Sequence, residues 1–155
     1  MRGVSTLLFT QDQVRALTGV SVEAVRHWRK AVRYLSAKSG KVARFSFTDV
    51  VALSITSNIV HTLGVHIGAV SAGVDSLFRL LGRIDAPALA GTIVLITPTD
   101  AIPYPIDDHP RPLSAPALIV PLGPFVANLH NQLTPTALGP MSAVPNPPAR
   151  LRRRA

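Results

Sequence analysis

The chain has 155 residues, which is enough for one modest domain or for a smaller domain with an appendage. Its 16 Lys and Arg residues outnumber its 8 Asp and Glu residues, and the resulting formal charge of +8 favours a polyanionic partner. Cysteine is absent, which excludes a disulfide scaffold, thiolate zinc sites and enzymes with a cysteine nucleophile.

Two segments of the first half were considered as targeting or membrane signals. The apolar run near Met1 is too short for a signal peptide, so we expect a cytoplasmic protein. Residues 50–74 contain no Asp, Glu, Lys or Arg, but polar side chains interrupt them and their apolar residues recur with helical spacing. This segment predicts a helix with one buried side, and we expect no membrane partner.

A helix, a tight turn and a second helix are predicted at the start of the chain. Thr10 and Gln13 have the spacing of a capping box, which begins the first helix. Gly19 suits the left-handed conformation in which such a helix ends. Ser21 then caps a second helix that extends to about Val32.

A hairpin and two further helices are predicted next. Two strand-like runs within residues 34–47 flank a flexible Lys-Ser-Gly-Lys turn. A third helix, capped by Thr48-Asp49, extends through about residue 61. After Gly64, a fourth helix reaches about residue 81.

The composition changes sharply in the middle of the chain, because all 14 prolines lie at or beyond Pro87. Proline removes a backbone donor and breaks helices. We therefore predict a helical domain at residues 1–84 and a small proline-rich β/α element at 85–139, a candidate for dimerisation or effector binding. Residues 140–155 are predicted to be a disordered basic tail.

Within the proline-rich element, two strands and one helix are predicted. Residues 92–96 and 117–120 are apolar, β-branched runs that could pair as strands. Residues 97–116 between them are rich in proline and predict a loop. Residues 124–133 predict one short helix with Pro124 in its first turn.

The second predicted helix has one apolar side and one charged side. At about 100° per residue, Val25, Trp28 and Val32 fall together, which predicts that this side packs on a core. Such a helix, following directly on a tight turn, has the geometry to enter a DNA major groove. Its other side carries three cations with an acid and a histidine beside them: Arg26, Lys30, Arg33, Glu23 and His27.

Basic residues continue beyond this helix without an intervening acid. A solvated surface ordinarily mixes signs, so phosphates are expected to supply the missing negative charge. We expect the helix to contact base edges and residues 38–44 to contact the DNA backbone. A solubilising surface without a partner is the alternative. The predicted DNA-binding residues are Arg26, His27, Arg29, Lys30, Arg33, Lys38, Lys41 and Arg44.

Three residues on this helix also allow a structural interpretation. Trp28 is expected to be a core residue, because a lone tryptophan on an apolar helix face usually is. His27 suits a phosphate or base contact, and equally an ordinary surface histidine. Glu23 could accept a hydrogen bond from cytosine, although a first-turn acid more simply favours the helix dipole.

These elements resemble the MerR-type winged helix-turn-helix. The family pattern combines a capped helix, a Gly-Val-Ser turn, an Arg-aromatic-aromatic stretch and a wing that closes on Arg-Tyr/Phe-Ser/Thr-x-x-Asp-hydrophobic. The resemblance covers about residues 8–82. The matching residues are Thr10 to Leu17, Gly19-Val20-Ser21, Arg26-His27-Trp28, Arg44-Phe45-Ser46 and Asp49-Val50.

The resemblance implies a mainly α fold with a small β-wing for about residues 8–82. The proline-rich extension that follows, with a two-stranded hairpin and a short helix, is predicted from its own residues. The resemblance also implies DNA binding through the second helix and the wing, as a homodimer, and transcriptional control. It assigns Arg26 and Arg44 to the DNA backbone and Phe45 to packing of the wing. His27 and Arg29 depart from the family pattern, and the missing cysteines mean that metal sensing is not implied. Dimerisation is expected to use the fourth helix or the C-terminal half.

No pattern typical of an enzyme, a metal site or a cofactor site is found. His61 and His66 are five residues apart, whereas paired helical metal ligands are four apart. Residues 107–109, Asp-Asp-His, fall in the predicted proline loop without a second cluster. Neither a nucleophile elbow nor a phosphate-binding glycine loop is present. We therefore expect no catalytic residue, no metal and no cofactor.

These observations predict a sequence-specific protein that binds double-stranded DNA and regulates transcription, with no indication of a small-molecule effector. Two alternatives stay open. An architectural, excision or packaging-type DNA-binding protein would form arrays without an effector. A protein-interaction module would use the same basic face for an acidic partner.

Overall fold

The structure is a computed structural model that describes residues 7–108 and 113–134. These residues form a mixed α/β architecture with two small antiparallel sheets, in general agreement with the predicted class. The helices are α1 (Gln11–Thr18), α2 (Val22–Ala31), α3 (Arg33–Ser36), α4 (Phe47–Ser57), α5 (Ile67–Leu81), α6 (Ala86–Leu89) and α7 (Gly123–Leu133). The strands are β1 (Leu8–Phe9), β2 (Phe45–Ser46), β3 (Thr92–Ile96), β4 (Ala101–Pro105) and β5 (Leu118–Pro121).

The start of the chain folds as its capping residues predict. Thr10 Oγ1 accepts from the Gln13 N–H, and Gln13 Oε1 accepts from the Thr10 N–H, which completes the capping box of α1. Gly19 ends this helix in the left-handed conformation with φ 70°. The Ser21 hydroxyl caps α2. The predicted turn between the first two helices is therefore confirmed.

The hairpin predicted within residues 34–47 is wrong. Its first run lies in α3, and its second run forms only β2, which pairs antiparallel with β1. Val32 is extended and separates α2 from α3, and the Tyr34 N–H then donates to Asp75 Oδ1 on α5 at 2.6 Å. Because this remote carboxylate satisfies an N–H at the start of α3, a helical turn forms where a strand was predicted.

The third and fourth predicted helices are present as α4 and α5, and they lie at the centre of the molecule. α4 continues into a π-helical turn, Asn58–Thr62, and Gly64, with φ 68°, lies between that turn and α5. Seven residues of each helix are buried. Among the described residues, no helix is long and apolar enough to cross a membrane.

The proline-rich half forms a three-stranded antiparallel sheet in the order β4-β3-β5. The predicted pairing of residues 92–96 with the strand near 117–120 is confirmed. The prediction of a loop throughout residues 97–116 is wrong, because β4 lies within it. Pro103 and Pro105 are tolerated there because β4 is an edge strand. Residues two apart in a strand face the same side, so both prolines can lie where the sheet requires no backbone N–H.

The sheet packs directly on α5. The Gly73 N–H donates to the Pro98 carbonyl at 3.2 Å, and a Cβ at Gly73 would meet the carbonyl oxygen of Thr97. The Ser76 hydroxyl donates to Asp100 Oδ1 and accepts from the Ala101 N–H. One cluster of buried apolar side chains includes residues on both sides of residue 85. The predicted basic tail at 140–155 lies outside the described residues.

Candidate nucleic-acid interface

α2 is anchored by one side and exposes charge on the other. Val25 is 2% exposed and Trp28 is 1% exposed, as predicted for the core. Arg26, His27 and Lys30 are exposed on the same helix. The apolar side therefore fixes the orientation of α2, and these three polar side chains point away from the core.

Arg33 was predicted to lie on the exposed face of α2 with Arg26 and Lys30, but it does not belong to that helix. α2 ends at Ala31, and Val32 has the extended dihedrals φ −109° and ψ 111°. Arg33 is exposed at the start of α3, after this break in the helix. Its guanidinium is thus presented by a different element from that of Arg26 and Lys30.

Arg29 fastens three elements together. Its Nε donates to the Lys38 carbonyl at 3.0 Å, and its Nη2 donates to Gln11 Oε1 at 2.9 Å. The first bond holds the loop at 38–44 against α2, and the second holds the first residue of α1. Because its side chain is half-buried and already bonded on two sides, Arg29 is a scaffold residue of this surface.

Lys38 is also directed into the protein. Its Nζ lies 2.9 Å from Asp49 Oδ2, and the Asp49 residue is only 1% exposed. The same ammonium donates to the Arg44 carbonyl at 2.9 Å. It lies 5.5 Å from the centroid of the Tyr34 ring and 5.8 Å from that of Phe45. This charge is therefore held against a buried carboxylate and two aromatic rings, while the side chain stays 27% exposed.

Lys41 and Arg44 are the cations that the loop presents to solvent. Both are exposed. Arg44 Nη1 donates to the carbonyls of Lys41 and Ala43, at 3.2 and 3.0 Å. Ala43 is buried, which ties this end of the loop to the core. Arg44 thus stabilises the loop with one nitrogen while the residue stays exposed.

Residues 26–44 contain no Asp or Glu, and we call them the acid-free window; its five exposed cations define the cationic surface. Within the part of the chain that the structure describes, none of them makes an ion pair. Two acids border the surface: Glu23 on α2, and Asp12, which pairs with Arg15 at 3.5 Å. The members of the cationic surface are Arg26, Lys30, Arg33, Lys41 and Arg44.

A depression joins the start of α1 to the loop at 38–44. The start of α1 contributes Asp12, and α2 contributes Arg29, so the depression lies beside the exposed face of α2. It is shallow and open to solvent. Its lining residues are Thr10, Gln11, Asp12, Arg29, Gly40, Lys41 and Arg44.

The sequence analysis missed the contacts of Tyr34, and its cap for the third helix, Thr48-Asp49, is wrong because the N-cap of α4 is Ser46 and Asp49 is the third residue of the helix. The Tyr34 hydroxyl donates to Asp49 Oδ1 at 2.6 Å, and its ring stacks on Phe78 with centroids 5.0 Å apart. Asp49 Oδ2 accepts from the Ser46 N–H, which completes a capping box at the start of α4. The Ser-x-x-Asp spacing is a local signal of that cap, but nothing local connects Asp49 to Tyr34 or Lys38.

His61 and His66, which were considered as metal ligands, each have a contact of their own within the protein. The His61 ring lies 5.9 Å from that of Trp28, and His66 Nδ1 accepts from the Gly68 N–H. Across residues 7–108 and 113–134, no group of three or more His, Cys, Asp or Glu side chains could hold a metal ion. His109 lies outside the described residues.

Comparisons of the chain with protein-family models, with curated proteins and with solved structures found no match. The likeness to the MerR type is therefore one of residue pattern. Functional inference depends on the chemistry of the cationic surface and on the geometry that holds it.

Proposed function

We propose that the chain binds double-stranded DNA sequence-specifically and acts as a transcriptional regulator. The observation that carries the proposal is the cationic surface itself. A rigidly anchored helix exposes Arg26 and Lys30, a loop fastened to that helix exposes Lys41 and Arg44, and the window contains no acid. A DNA duplex supplies the negative charge that such a surface lacks.

In this proposal the two elements have different tasks. α2 enters the major groove, where Arg26 and Lys30 reach acceptor atoms at base edges and His27 contacts a base or a phosphate. Lys41 and Arg44 bind phosphates of the adjacent backbone and fix the register of the helix on the duplex. Arg33, at the start of α3, binds a phosphate beyond the end of α2.

We propose a winged helix-turn-helix of the MerR type for about residues 8–82, with one departure. α1, the turn at Gly19 and α2 supply the helix-turn-helix. The loop at 38–44 takes the place of the hairpin wing, and β2 pairs with β1 instead. DNA contact by a loop that Arg29 and Lys38 fasten requires no second wing strand.

We also propose that the chain binds DNA as a homodimer. The exposed face of α2 is short, and two copies on neighbouring half-sites would read enough bases for specificity. α5 buries its apolar side against other elements of its own chain. The C-terminal element is therefore the remaining candidate for the dimer contact. The mass of the DNA complex, measured by native mass spectrometry, tests this stoichiometry.

The decisive variant for DNA binding is Lys30→Glu. Like-charge repulsion against phosphate is expected to weaken binding by about a hundredfold or more, without unfolding an exposed helix position. Fluorescence anisotropy with fragments selected from the source genome measures the affinity, and circular dichroism measures folding. If this variant binds as wild type does, α2 is not the recognition helix.

A matched control keeps the net charge of that variant and moves the change elsewhere. Thr99→Glu combined with Ser114→Asp lowers the net charge by the same two units, at exposed positions around the sheet. We expect this double variant to bind within about threefold of wild type, because charges beyond a Debye length are screened. Equal losses in both variants would mean that net charge alone drives binding.

Footprinting separates the regulator from the other classes. Two protected half-sites one helical turn apart support the proposal. An extended repeating footprint would indicate an array-forming architectural protein. No shift with random or genomic DNA at low salt would indicate an acidic protein partner instead.

A further inference from the structure

We infer that Lys38 is a positioning residue for DNA binding and not a phosphate contact, and that the buried Asp49 holds it in this role. The inference depends on the proposed DNA binding and extends it to the internal structure of the loop. Lys38 stands in the acid-free window between cations that point outward. Its charge is the one whose partner is a buried carboxylate.

Within the described residues, the Lys38 ammonium has two hydrogen-bond acceptors, which occupy two of its three N–H donors. It contacts Asp49 Oδ2 and the Arg44 carbonyl, both at 2.9 Å, and it lies over two aromatic rings. Turning it outward to a phosphate would leave the buried Asp49 carboxylate with Tyr34 and Ser46 as its hydrogen-bond donors among the described residues. Breaking a buried pair in this way is costly, because the remaining charge is uncompensated.

The same residue fastens both ends of the loop. The backbone carbonyl of Lys38 accepts from Arg29 Nε on α2, and its ammonium donates to the carbonyl of Arg44 at the far end. Between these points the Ala43 N–H donates to the Gly40 carbonyl at 3.2 Å. The loop is thus closed on itself and attached to α2 and, through Asp49, to α4.

The consequence is a division of labour among the seven cations of the window. Arg29 and Lys38 hold the loop and α2 in a fixed relation, and the cationic surface contacts DNA. Removing Lys38 would leave the loop in the binding geometry for only a fraction of the time, and apparent affinity falls by that fraction. The number of phosphates neutralised in the bound state would stay the same.

The dependence of affinity on salt distinguishes positioning from contact. Each phosphate contact contributes about 0.9 to the slope of log K against log salt concentration. We expect Lys38→Met to bind about tenfold more weakly with an unchanged slope, if the loop spends about one tenth of its time in place. Lys41→Met makes the same chemical change in the same loop, and its slope should fall by about 0.9.

Two further variants complete the test. Lys38→Arg keeps a cation over the aromatic rings and beside Asp49, and it should restore most of the affinity. Lys38→Gln removes the charge but keeps a donor, and its slope should equal that of wild type even if Lys38→Met does not fold. A slope reduced in Lys38→Gln to the value of Lys41→Met would overturn the inference.

Hydrogen exchange separates this inference from the proposed function. In Lys38→Met, the Ala43 amide should exchange at least about tenfold faster than in wild type, while the amides of α2 are unchanged. If wild-type protein fails to bind DNA, the proposed function is wrong, and this measurement still tests whether Lys38 holds the loop at 38–44 in place. Unchanged protection of Ala43 in Lys38→Met would show that Lys38 does not hold the loop.

Discussion

Tyr34 connects α3, which begins with Arg33 of the cationic surface, to the two central helices α4 and α5. Its backbone N–H donates to Asp75 on α5, and its hydroxyl donates to Asp49 on α4. Arg79 lies 5.7 Å from the ring centroid and pairs with Asp75 at 3.0 Å. Burial, followed by the hydrogen bond to Asp49 and the charge of that carboxylate, raises the pKa of Tyr34 well above its usual value. The hydroxyl therefore stays protonated, and continues to donate to Asp49, at pH values above 10, where a free tyrosine loses its proton.

The hydrogen bond from this hydroxyl to Asp49 is expected to stabilise the protein. Tyr34→Phe keeps the ring against Phe78 but removes a donor to buried Asp49, which should cost about 1–3 kcal/mol of unfolding free energy. Tyr104→Phe is the control, because within the described residues the Tyr104 hydroxyl has no recorded bond; a change below about 0.5 kcal/mol is expected. Urea unfolding measures both. Equal effects would contradict the hydrogen-bond network.

The raised pKa of Tyr34 also predicts how this stability depends on pH. The unfolded chain loses the tyrosine proton near pH 10, whereas the folded protein keeps it to a higher pH. The contribution of the protonated Tyr34 hydroxyl to the free energy of unfolding is therefore complete below about pH 10 and falls as the pH rises further. The difference in unfolding free energy between wild type and Tyr34→Phe should narrow above pH 10, and a widening difference would contradict the raised pKa.

Among the elements, the turn between α1 and α2 decides how the proposed recognition helix is presented. Gly19 adopts φ 70°, and a Cβ there would meet no heavy atom of residues 7–108 and 113–134 within 4 Å. Any cost of substitution at this position is therefore backbone strain. The left-handed conformation of Gly19 and its hydrogen bond to the Arg15 carbonyl set the turn through residues close in sequence.

Gly19→Ala should consequently destabilise the protein by about 1–2 kcal/mol, the cost of a left-handed conformation for an L-residue. Gly82→Ala is the matched control, because Gly82 has φ −65° and its nearest heavy atom to a Cβ lies at 3.6 Å. That control should be neutral or stabilising by about 0.4–1 kcal/mol. Thermal unfolding measures both variants. A neutral Gly19→Ala would mean that α1 does not end in the left-handed turn.

Across the whole molecule, the proline-rich half and the helical half share one core. Gly73 on α5 is a point of close approach, because the turn after β3 covers its α-carbon. The single tryptophan, Trp28, lies on α2 in the other half and in the same buried cluster. We therefore expect one cooperative unfolding transition, as for other small domains.

Gly73→Ala tests this expectation. The added methyl group would collide with the Thr97 carbonyl and push the sheet away from α5, at a cost of about 1–3 kcal/mol or more. If the halves unfold together, the unfolding midpoints measured by Trp28 fluorescence and by far-ultraviolet circular dichroism shift by the same amount. A circular-dichroism change with an unchanged Trp28 transition would show that the sheet unfolds on its own.

Several features of the fold followed from local sequence signals, and several did not. Thr10, Gly19 and Ser21 indicated the first two helices because a cap needs only neighbours within about four residues. The hairpin was wrongly predicted because the partner of Tyr34 that stabilises α3 is Asp75, which is remote in sequence. β4 was missed because proline is read as a strand breaker, yet an edge strand tolerates it.

The cationic surface was predicted only in part, because some of its features depend on local sequence and others on remote partners. Helical periodicity is a local property, so the exposure of Arg26, His27 and Lys30 opposite Trp28 could be derived from the sequence. The inward turn of Lys38 could not, because its acceptor is Asp49, eleven positions along the chain and in another helix. Only the folded arrangement shows that a cation in a uniformly basic run is part of the scaffold.

Composition and spacing thus established a basic, cysteine-free chain whose second helix has a charged face and an apolar back. Caps and periodicity suffice for that, since they act between residues close in sequence. Tertiary contacts decided which cations remain at the surface, where α3 replaces a strand and how the proline-rich half closes the core. These outcomes depend on acceptors and packing partners that folding brings together from distant positions, so no local pattern contains them.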